Sequence, residues 1–415
     1  MYTKYILKGL ATGVLALATL ASCNTNIEAL EIIKPEVKSE QYYADLRAYK
    51  QRTDHEVFFG WFGGWNTKSP NMRGSLKSVP DSVDIISIWS GTYDREDMEY
   101  VQNVKGTRVT FTIFAHKIPQ NFLEGENHDQ VTREAIERYA MALIDTMNTY
   151  GYQGIDLDYE PGYQDPAGGP FTGPLVGPTN VYPNYRDNME IFVKKLGEFI
   201  GPKSGTDKLL IIDGVPYDVK PELAEYFNYG VVQAYNSRSY YDLQNRFNRA
   251  AARGWKPEQY IFAETFEGGM AANGGVGHLL EDGKTRVPSI LGMASFLPEY
   301  NGKKATRKGG CGTYHMENDY DHQFGCSFER NSGVLFHRFA SRHVHSDSRR
   351  HIVDCECGGN LFALRTHDVK SVVGFNAVAA CSSHENGKQR GQFCDYFFHC
   401  CVPFLGFSGV GVVIM

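Results

Sequence analysis

Several features that define common protein classes are missing from this 415-residue chain. It has no run of lysine and arginine, and its net charge of -6 gives no positive field for nucleic acid, so nucleic acid is excluded as a partner. Before residue 320 there is no HExxH or CxxC pair, and His55, His116 and His278 are scattered. The sequence therefore predicts no metal site and no cofactor. No linker rich in proline, glycine or serine divides residues 45–320, which indicates one domain there.

Long apolar runs are scarce, and the N-terminus holds the clearest one. Lys4 and Lys8 precede an apolar stretch that ends in Leu-Ala-Ser-Cys at Cys23. A positive start, a short apolar core and small residues before the cut predict a secretion signal over residues 1–22, followed by a tether over residues 23–44. The last four residues also resemble a bacterial lipobox, in which Cys23 becomes the lipid-bearing N-terminus; a plain signal with an incidental cysteine is the alternative. Either way we expect an exported protein, either a lipoprotein anchored at the cell surface or outer membrane, or a periplasmic protein.

Short segments typical of buried strands recur along the chain and alternate with helical patterns. The clearest helical pattern covers residues 133–151 and ends at a glycine. The strand-like segments are HEVFFGWFGGW (55–65), DIISIWSG (84–91), RVTFTIFAH (108–116), GIDLDYE (154–160), KLLIIDGV (208–215), YGVVQAYN (229–236), QYIFAETF (259–266) and GGCGTYHME (309–317).

About eight strand–helix units in roughly 270 residues match the size and rhythm of an α/β protein with a (β/α)8 barrel. An open doubly wound sheet also alternates in this way, but eight units are too many for it. In addition, no GxGxxG turn follows the first strand. We therefore predict a TIM barrel over residues 45–320, with the Gly/Pro-rich loop 162–180 overhanging the mouth after the fourth strand.

The fourth strand carries three acids at alternate positions: Asp156, Asp158 and Glu160. Residues two apart in a strand point to the same face, about 6.6 Å apart. The acids therefore share one face, which points into the bore, and Glu160 lies closest to the end where barrel enzymes do their chemistry. Carboxylates crowded in this way share protons, so one of them has a raised pKa and can act as a general acid. An exposed sheet edge and a calcium site are the alternatives; the apolar residues between the acids disfavour the first, and the absence of a calcium-type loop disfavours the second.

The segment GIDLDYE resembles the DGxDxDxE signature of glycoside hydrolase family 18. The similarity covers about residues 40–320 and is closest to bacterial endo-β-N-acetylglucosaminidases of surface glycan-degrading systems. Further similar pieces are VVQAYN at the sixth strand, AETFEGG after the seventh and KGGCGTYHMENDY at the eighth.

The resemblance implies a catalytic role for each acid. Glu160 corresponds to the acid that protonates the glycosidic oxygen, and Asp158 to the group that orients the substrate's acetamido N–H. The acetamido oxygen then attacks the anomeric carbon, which gives overall retention. Asp156 corresponds to the residue that shares a proton with Asp158. Tyr235 corresponds to the hydrogen-bond donor to the acetamido carbonyl, and Gln233 to a residue that lines the same subsite.

Other positions complete the predicted site, and one departs from the family pattern. Asn236 follows Tyr235 in the same motif and is predicted to contact substrate. Trp61, Trp65 and Trp89 lie near the ends of the first two strands, where an indole can stack on a sugar; core packing is the alternative for each. Where the signature has its first aspartate, this chain has Gln153, which cannot carry charge.

The resemblance implies an enzyme that hydrolyses the β-1,4 bond between the two core GlcNAc residues of N-glycans, so an N-glycan or another GlcNAc-containing oligosaccharide is the expected partner. Two alternatives stay open. One is a chitinase, with the same chemistry on a linear polymer. The other is a surface glycan-binding protein with weak or lost turnover, for which the charge missing at Gln153 and the atypical tail are the arguments.

The chain changes character after residue 320, since residues 321–415 hold most of its cysteine and histidine. No amphipathic helix follows the eighth strand, although a barrel needs one on its outer face. Three interpretations compete: a disulfide-bearing accessory domain, a zinc module, and an out-of-frame or disordered tail, which we favour. Seven cysteines, an odd number, argue against the first, and the spacing matches no common zinc site. These cysteines are Cys326, Cys355, Cys357, Cys381, Cys394, Cys400 and Cys401.

Overall fold

A computed structural model describes residues 38–69, 72–123, 125, 131–163 and 171–321. The predicted signal peptide, Cys23 and most of the predicted tail lie outside these residues, so the predictions made for them stay predictions. The chain divides into two compact units after Leu46, within its first described helix, and the barrel lies in the second unit.

Eight parallel strands close into a barrel. The closed parallel barrel confirms the predicted fold class, and each of the eight strands falls inside the segment predicted for it. The strands are β1 (Val57–Phe62), β2 (Ile85–Ile88), β3 (Arg108–Phe114), β4 (Gly154–Tyr159), β5 (Leu209–Gly214), β6 (Tyr229–Gln233), β7 (Tyr260–Thr265) and β12 (Gly310–Tyr314). Their order around the barrel is β1-β12-β7-β6-β5-β4-β3-β2.

Helices connect most of the strands, and local capping explains where several of them begin. Thr132 accepts a hydrogen bond from the backbone N–H of Ala135 at 3.2 Å before the longest helix, which ends at Gly151 in the left-handed conformation. Asp94 and Ser239 cap two other helices in the same way. The helices are α1 (Glu40–Lys50), α2 (Arg95–Asn103), α3 (Arg133–Tyr150), α4 (Tyr185–Gly197), α5 (Tyr240–Ala251) and α6 (Ser289–Ser295).

The predicted regular alternation of strand and helix fails at two connections. The helical segments described between β1 and β2, at Met72–Gly74 and Leu76–Ser78, and between β5 and β6, at Pro216–Asp218 and Pro221–Tyr226, are all 3₁₀ helices. Both segments of the second connection begin with proline, which has no backbone N–H and disfavours the α-helical conformation in the residue before it.

Two small β-hairpins follow β7, one before α6 in the chain and one after it. The first pairs β8 (Gly277–Leu279) with β9 (Arg286–Pro288), and the second pairs β10 (Glu299–Tyr300) with β11 (Lys303–Lys304). After β12 the described chain ends in a 3₁₀ segment, Met316–Asp321. None of the described helices is long and apolar enough to cross a membrane.

Alternate residues of the barrel strands pack into two separate apolar layers. In β4, Ile155, Leu157 and Tyr159 are buried in the layer between strands and helices, as the strand period predicts. The bore has its own layer, which consists of apolar side chains from the other strands, such as Phe59, Ile211, Val231 and Ile261. Because this apolar filling closes the lower bore, polar chemistry is confined to its C-terminal mouth.

Candidate active site

Asp156 lies deepest of the three predicted acids, and it is fully buried in the bore. Its Oδ2 accepts hydrogen bonds from Trp61 Nε1 at 2.9 Å and from Thr112 Oγ1 at 3.2 Å. Burial raises the pKa of Asp156 to about 6, although these hydrogen bonds and others from Ser87 and Asp213 favour the ionised form and oppose the shift. Asp156 is therefore an acid with donors on one oxygen and none from the described residues on the other, Oδ1.

Asp158 lies one step closer to the mouth, and its side chain is partly exposed there. Burial, followed by the charges of Glu160 and Asp156, raises the pKa of Asp158 well above its ordinary range. Its buried Oδ1 has no hydrogen-bond partner among the described residues. Because this oxygen is buried, it needs a partner from within the column rather than from the solvent.

Asp213 is a fourth acid of the site, and the sequence reasoning missed it. It lies in β5 and pairs in register with Asp158 of β4. Its side chain is 1% exposed, and its Oδ1 accepts a hydrogen bond from Gln233 Nε2 at 3.0 Å. Burial, followed by the charges of Asp158 and Asp156, raises the pKa of Asp213 well above its ordinary range. The available signal was an isolated acid in the apolar run LLIID.

Glu160 follows β4 directly and stands at the open end of the column of acids. Burial raises its pKa, and hydrogen bonding by Gln233 opposes part of the shift. Gly214, at φ 83°, makes room for this side chain, because a Cβ there lies 2.6 Å from the carbonyl oxygen of Tyr159 and 2.9 Å from Glu160 Cγ. A carboxyl group that is partly buried, has a raised pKa and reaches the mouth is suited to donate a proton to a bound substrate.

Tyr235 and Gln233 face the same acids from β6 and the residues that follow it. The Tyr235 ring stacks on Tyr314, with ring centroids 6.0 Å apart and an interplanar angle of 17°. Burial and the nearby charges of Asp213 and Asp158 raise the pKa of Tyr235 well above its ordinary range, so its hydroxyl stays protonated and can donate. The structure thus brings Gln233 and Tyr235 to the acids.

The three tryptophans predicted near the mouth lie at different depths. Trp89 is half-buried and packs against Tyr314, with centroids 5.6 Å apart, and against His315, at 4.9 Å. Trp61 is only 3% exposed, so it lies too deep to stack on a sugar and instead donates to Asp156. Trp65 is 1% exposed in the outer layer and donates to Asp97 at 2.8 Å. This burial favours the alternative of core packing for Trp61 and Trp65, whereas Trp89 is accessible, and its stacking on a sugar stays a prediction.

Asn236 is exposed at the mouth, and its backbone is held in place by a buried acid of β7. Its φ is 59°, in the left-handed region, and its N–H donates to Glu264 Oε1 at 2.8 Å. Glu264 also accepts from the N–H of Thr265 at 2.9 Å and from Ser289 Oγ. Glu264 therefore fixes the turn that follows Tyr235, a role without any signal in the local sequence.

Gln153, the departure from the family signature, lies at the opposite end of β4 from Glu160. Its Oε1 accepts a hydrogen bond from the backbone N–H of Val109 at 3.2 Å, and its own backbone pairs with Val109 and Leu209. The Gln153 side chain therefore stabilises the pairing of β3 and β4 at the N-terminal end, or foot, of the barrel. The charge that it lacks relative to the family signature is missing far from the mouth.

Among the residues that the structure describes, no group of three or more histidine, cysteine or acidic side chains has the arrangement of a metal site. Cys311, the free cysteine of this part of the chain, is buried in the outer layer, and burial raises the pKa of its thiol to about 12. The polar side chains described at the mouth carry carboxyl, amide and phenol groups.

A parallel barrel with a column of buried carboxyl groups, ending in an acid of raised pKa at the C-terminal mouth, is the arrangement of a barrel glycosidase. A comparison with known families gives the particular class. The family model described as glycoside hydrolase family 18, BT1044-like, matches residues 25–328. The chain belongs to this family of glycosidases.

Two kinds of relatives support this assignment. The chain is 26% identical over 213 residues to endo-beta-N-acetylglucosaminidase F2 of Elizabethkingia meningoseptica, which covers 46% of this chain and 54% of that protein. The match thus spans about half the length of this curated relative. The solved structure of a BT1044 variant is similar with a TM-score of 0.60 and 25% identity, over 71% of this chain and 92% of that one.

A second solved structure shares the fold at lower identity. It is a mutant endo-beta-N-acetylglucosaminidase from Cordyceps militaris, in complex with fucosyl-N-acetylglucosamine-Asn. Its TM-score is 0.52 at 19% identity, over 72% of this chain and 97% of that one. This similarity concerns the fold alone.

Proposed function

We propose that this chain is an endo-β-N-acetylglucosaminidase that hydrolyses the β-1,4 bond between the two core GlcNAc residues of N-glycans. The observation that carries the proposal is the position of Glu160, a carboxyl of raised pKa at the open end of a buried column of acids. The relative from Elizabethkingia meningoseptica, which bears this activity in its name, supports the choice of substrate class.

The proposed reaction is substrate-assisted and retaining. Glu160 donates its proton to the glycosidic oxygen while the substrate's acetamido oxygen attacks the anomeric carbon, so the C–O bond breaks and an oxazolinium ion forms. Water then attacks the same carbon and gives a proton to Glu160, which restores the acid and the acetamido group. Asp158 orients the acetamido group, since this residue is partly exposed at the mouth and its carboxylate can accept the N–H.

Tyr235 and Gln233 complete the proposed subsite. The protonated hydroxyl of Tyr235 donates to the acetamido oxygen and aligns it with the anomeric carbon. Gln233 donates to Asp213, and its hydrogen bonding also lowers the pKa of Glu160, so its amide oxygen is the group that remains for the sugar. We propose that Trp89 and Asn236 contact substrate at the rim, where both side chains are accessible.

The experiment compares the protein with a Glu160→Gln variant on an N-glycosylated protein and on chitin oligomers. We expect release of glycan that leaves one GlcNAc on the protein. In the variant the rate of this release should fall by about 10²–10⁴-fold, which is the contribution typical of a general acid. Glu134→Gln, an exposed acid at the start of α3, is the matched control and keeps full activity.

Other outcomes identify other functions. Cleavage of chitin alone identifies a chitinase, and binding of glycan without cleavage by either form identifies a binding protein. Efficient hydrolysis of a substrate without its 2-acetamido group contradicts the substrate-assisted step.

We also propose that the protein is exported and anchored to a membrane by lipid on Cys23. The support is the apolar segment before Leu-Ala-Ser-Cys, which lies outside the described residues. A Cys23→Ala variant should then move from the membrane fraction to the soluble fraction and lose incorporation of labelled fatty acid. Retention of the variant in the membrane fraction contradicts this anchor.

A further inference from the structure

Asp213 is a buried acid of the mouth that the proposed reaction does not yet use. Its two oxygens have different surroundings. Oδ1 accepts the hydrogen bond from Gln233 Nε2 at 3.0 Å, whereas Oδ2 is buried and meets no donor from the described residues. A buried carboxylate oxygen without a donor is costly, so Oδ2 requires either a proton or a ligand.

The neighbouring acids also have buried oxygens that lack a hydrogen-bond partner. Asp156 and Asp158 each have one buried oxygen, Oδ1, without a partner among the described residues. Asp213 lies beside Asp158 in the register of β4 against β5, and hydrogen bonding by Asp213 opposes part of the rise in the pKa of both neighbours. Two carboxyl groups can form a hydrogen bond only if one of them holds a proton. The three acids therefore hold at least one proton between them.

The donors around the acids decide which one holds that proton. Asp156 Oδ2 accepts from both Trp61 and Thr112, and hydrogen bonds to a carboxylate favour its ionised form. Asp213 accepts from Gln233 alone, and its buried Oδ2 is free to be the hydroxyl of a carboxylic acid. A proton on Asp213 Oδ2 gives this buried oxygen a role as donor and supplies a hydrogen bond to Asp158, which lies beside it in register.

We propose that Asp213 is a positioning residue, a neutral carboxylic acid whose Oδ2–H donates to Asp158 and holds that carboxylate in place for the acetamido N–H. The proposal rests on the function proposed above. In this arrangement Asp213 holds the shared proton, and Asp158 stays ionised and can accept the hydrogen bond from the substrate. Gly214, which follows at once, keeps Glu160 beside this pair.

The groups that face Asp213 agree with a neutral acid at this position. Asp156, Asp158 and Glu160 of the β4 segment all act on it with negative charge. Tyr235 and Tyr314 face it with phenol groups whose own pKa is raised, Tyr235 in part by the charge of Asp213 itself. An ionised Asp213 adds a further negative charge to this cluster, which electrostatics opposes.

The test compares Asp213→Asn with Asp213→Leu, since the amide of Asn can accept from Gln233 and donate to Asp158 as the neutral acid does. We expect Asp213→Asn to keep kcat within about threefold of the wild type. We expect Asp213→Leu to lose at least about tenfold in kcat with little change in KM, because a hydrogen bond to a charged group is lost. An Asp213→Asn variant that is folded and as inactive as Asp213→Leu, or more than about tenfold impaired by itself, overturns the proposal.

A second measurement is independent of substrate and separates this proposal from the proposed function. An acid that stays protonated in the folded state makes stability fall as pH rises above the pKa of the unfolded chain. The decrease in Tm between pH 5 and pH 8 should therefore be smaller in Asp213→Asn than in the wild type. An equal decrease overturns the proton on Asp213 whether or not the enzyme cleaves N-glycans, whereas a wild type inactive on every glycan overturns the proposed function alone.

Discussion

Replacement of Asp156 by Asn tests whether the column of acids is buried as the structure shows. Both donors to Asp156 reach the same oxygen, Oδ2, so an amide oxygen placed there keeps the bonds from Trp61 and Thr112. The amide nitrogen then takes the place of Oδ1, which has no donor among the described residues. The variant thus retains the packing and removes a titrating group.

The size of the effect follows from the raised pKa of Asp156. Its shift from the ordinary 3.8 to about 6 corresponds to about 3 kcal/mol of unfolding free energy. Between these two pH values the folded state holds more protons than the unfolded state. The stability that Asp156 contributes is therefore fully present below pH 3.8 and is lost as pH rises through 6.

The assay is urea unfolding at a series of pH values from 4 to 7, followed by tryptophan fluorescence. The variant should gain about 3 kcal/mol relative to the wild type across this range, because it lacks the pH-dependent loss. Taking the difference between the two proteins cancels the titrating groups that do not interact with Asp156. Asp207→Asn, whose carboxyl is 78% exposed, is the control and should give a constant difference from the wild type. A constant difference for Asp156→Asn as well refutes the reasoning.

Three further substitutions probe the surroundings of the column. Trp61→Phe removes the 2.9 Å hydrogen bond to Asp156 and should lower kcat about tenfold, as expected for a hydrogen bond to a charged group. Gln153→Asp restores the charge of the family signature at the foot of the barrel, and it should change kcat/KM by less than about threefold. Gly214→Ala places a side chain at φ 83° and against the general acid, so it should lower the unfolding free energy by about 1–3 kcal/mol and reduce kcat.

Each of these three predictions has a control variant or an outcome that contradicts it. Phe59→Leu also removes ring volume from the bore but no hydrogen bond, so it should affect stability more than kcat. A larger loss of kcat in this control than in Trp61→Phe contradicts the role given to the indole. A gain of tenfold or more in Gln153→Asp shows that charge at the foot of the barrel reaches the mouth. A Gly214→Ala variant with wild-type stability and kcat contradicts the close packing around Glu160.

Strand period made the acids of β4 predictable, because the direction of alternate side chains depends only on local backbone geometry. The apolar residues between the acids pack against the helices as expected. Asp213 was missed for the opposite reason. A single acid in a strand has no pattern, and only the register of β5 against β4 places it beside Asp158.

The depth of each side chain along the bore also could not be predicted from the sequence. Trp61 and Trp89 occupy similar positions in their strands, yet one is buried on Asp156 and the other is accessible at the mouth. How far each strand extends up the barrel depends on the shear of the closed sheet, which no single strand encodes. The role of Glu264 could not be predicted either, because its partners Asn236 and Ser289 come from other connections of the barrel.

The sequence by itself determined the barrel, the side of β4 that carries the acids, and Glu160 as the acid nearest the open end, because each follows from a short repeat of residues. The tertiary structure alone decided which groups meet these acids: Trp61 beneath them, Asp213 beside them, and Gln153 away from them. The physical reason is that strand register and barrel closure bring distant segments together, and burial in that shared space sets the pKa of every acid in the column.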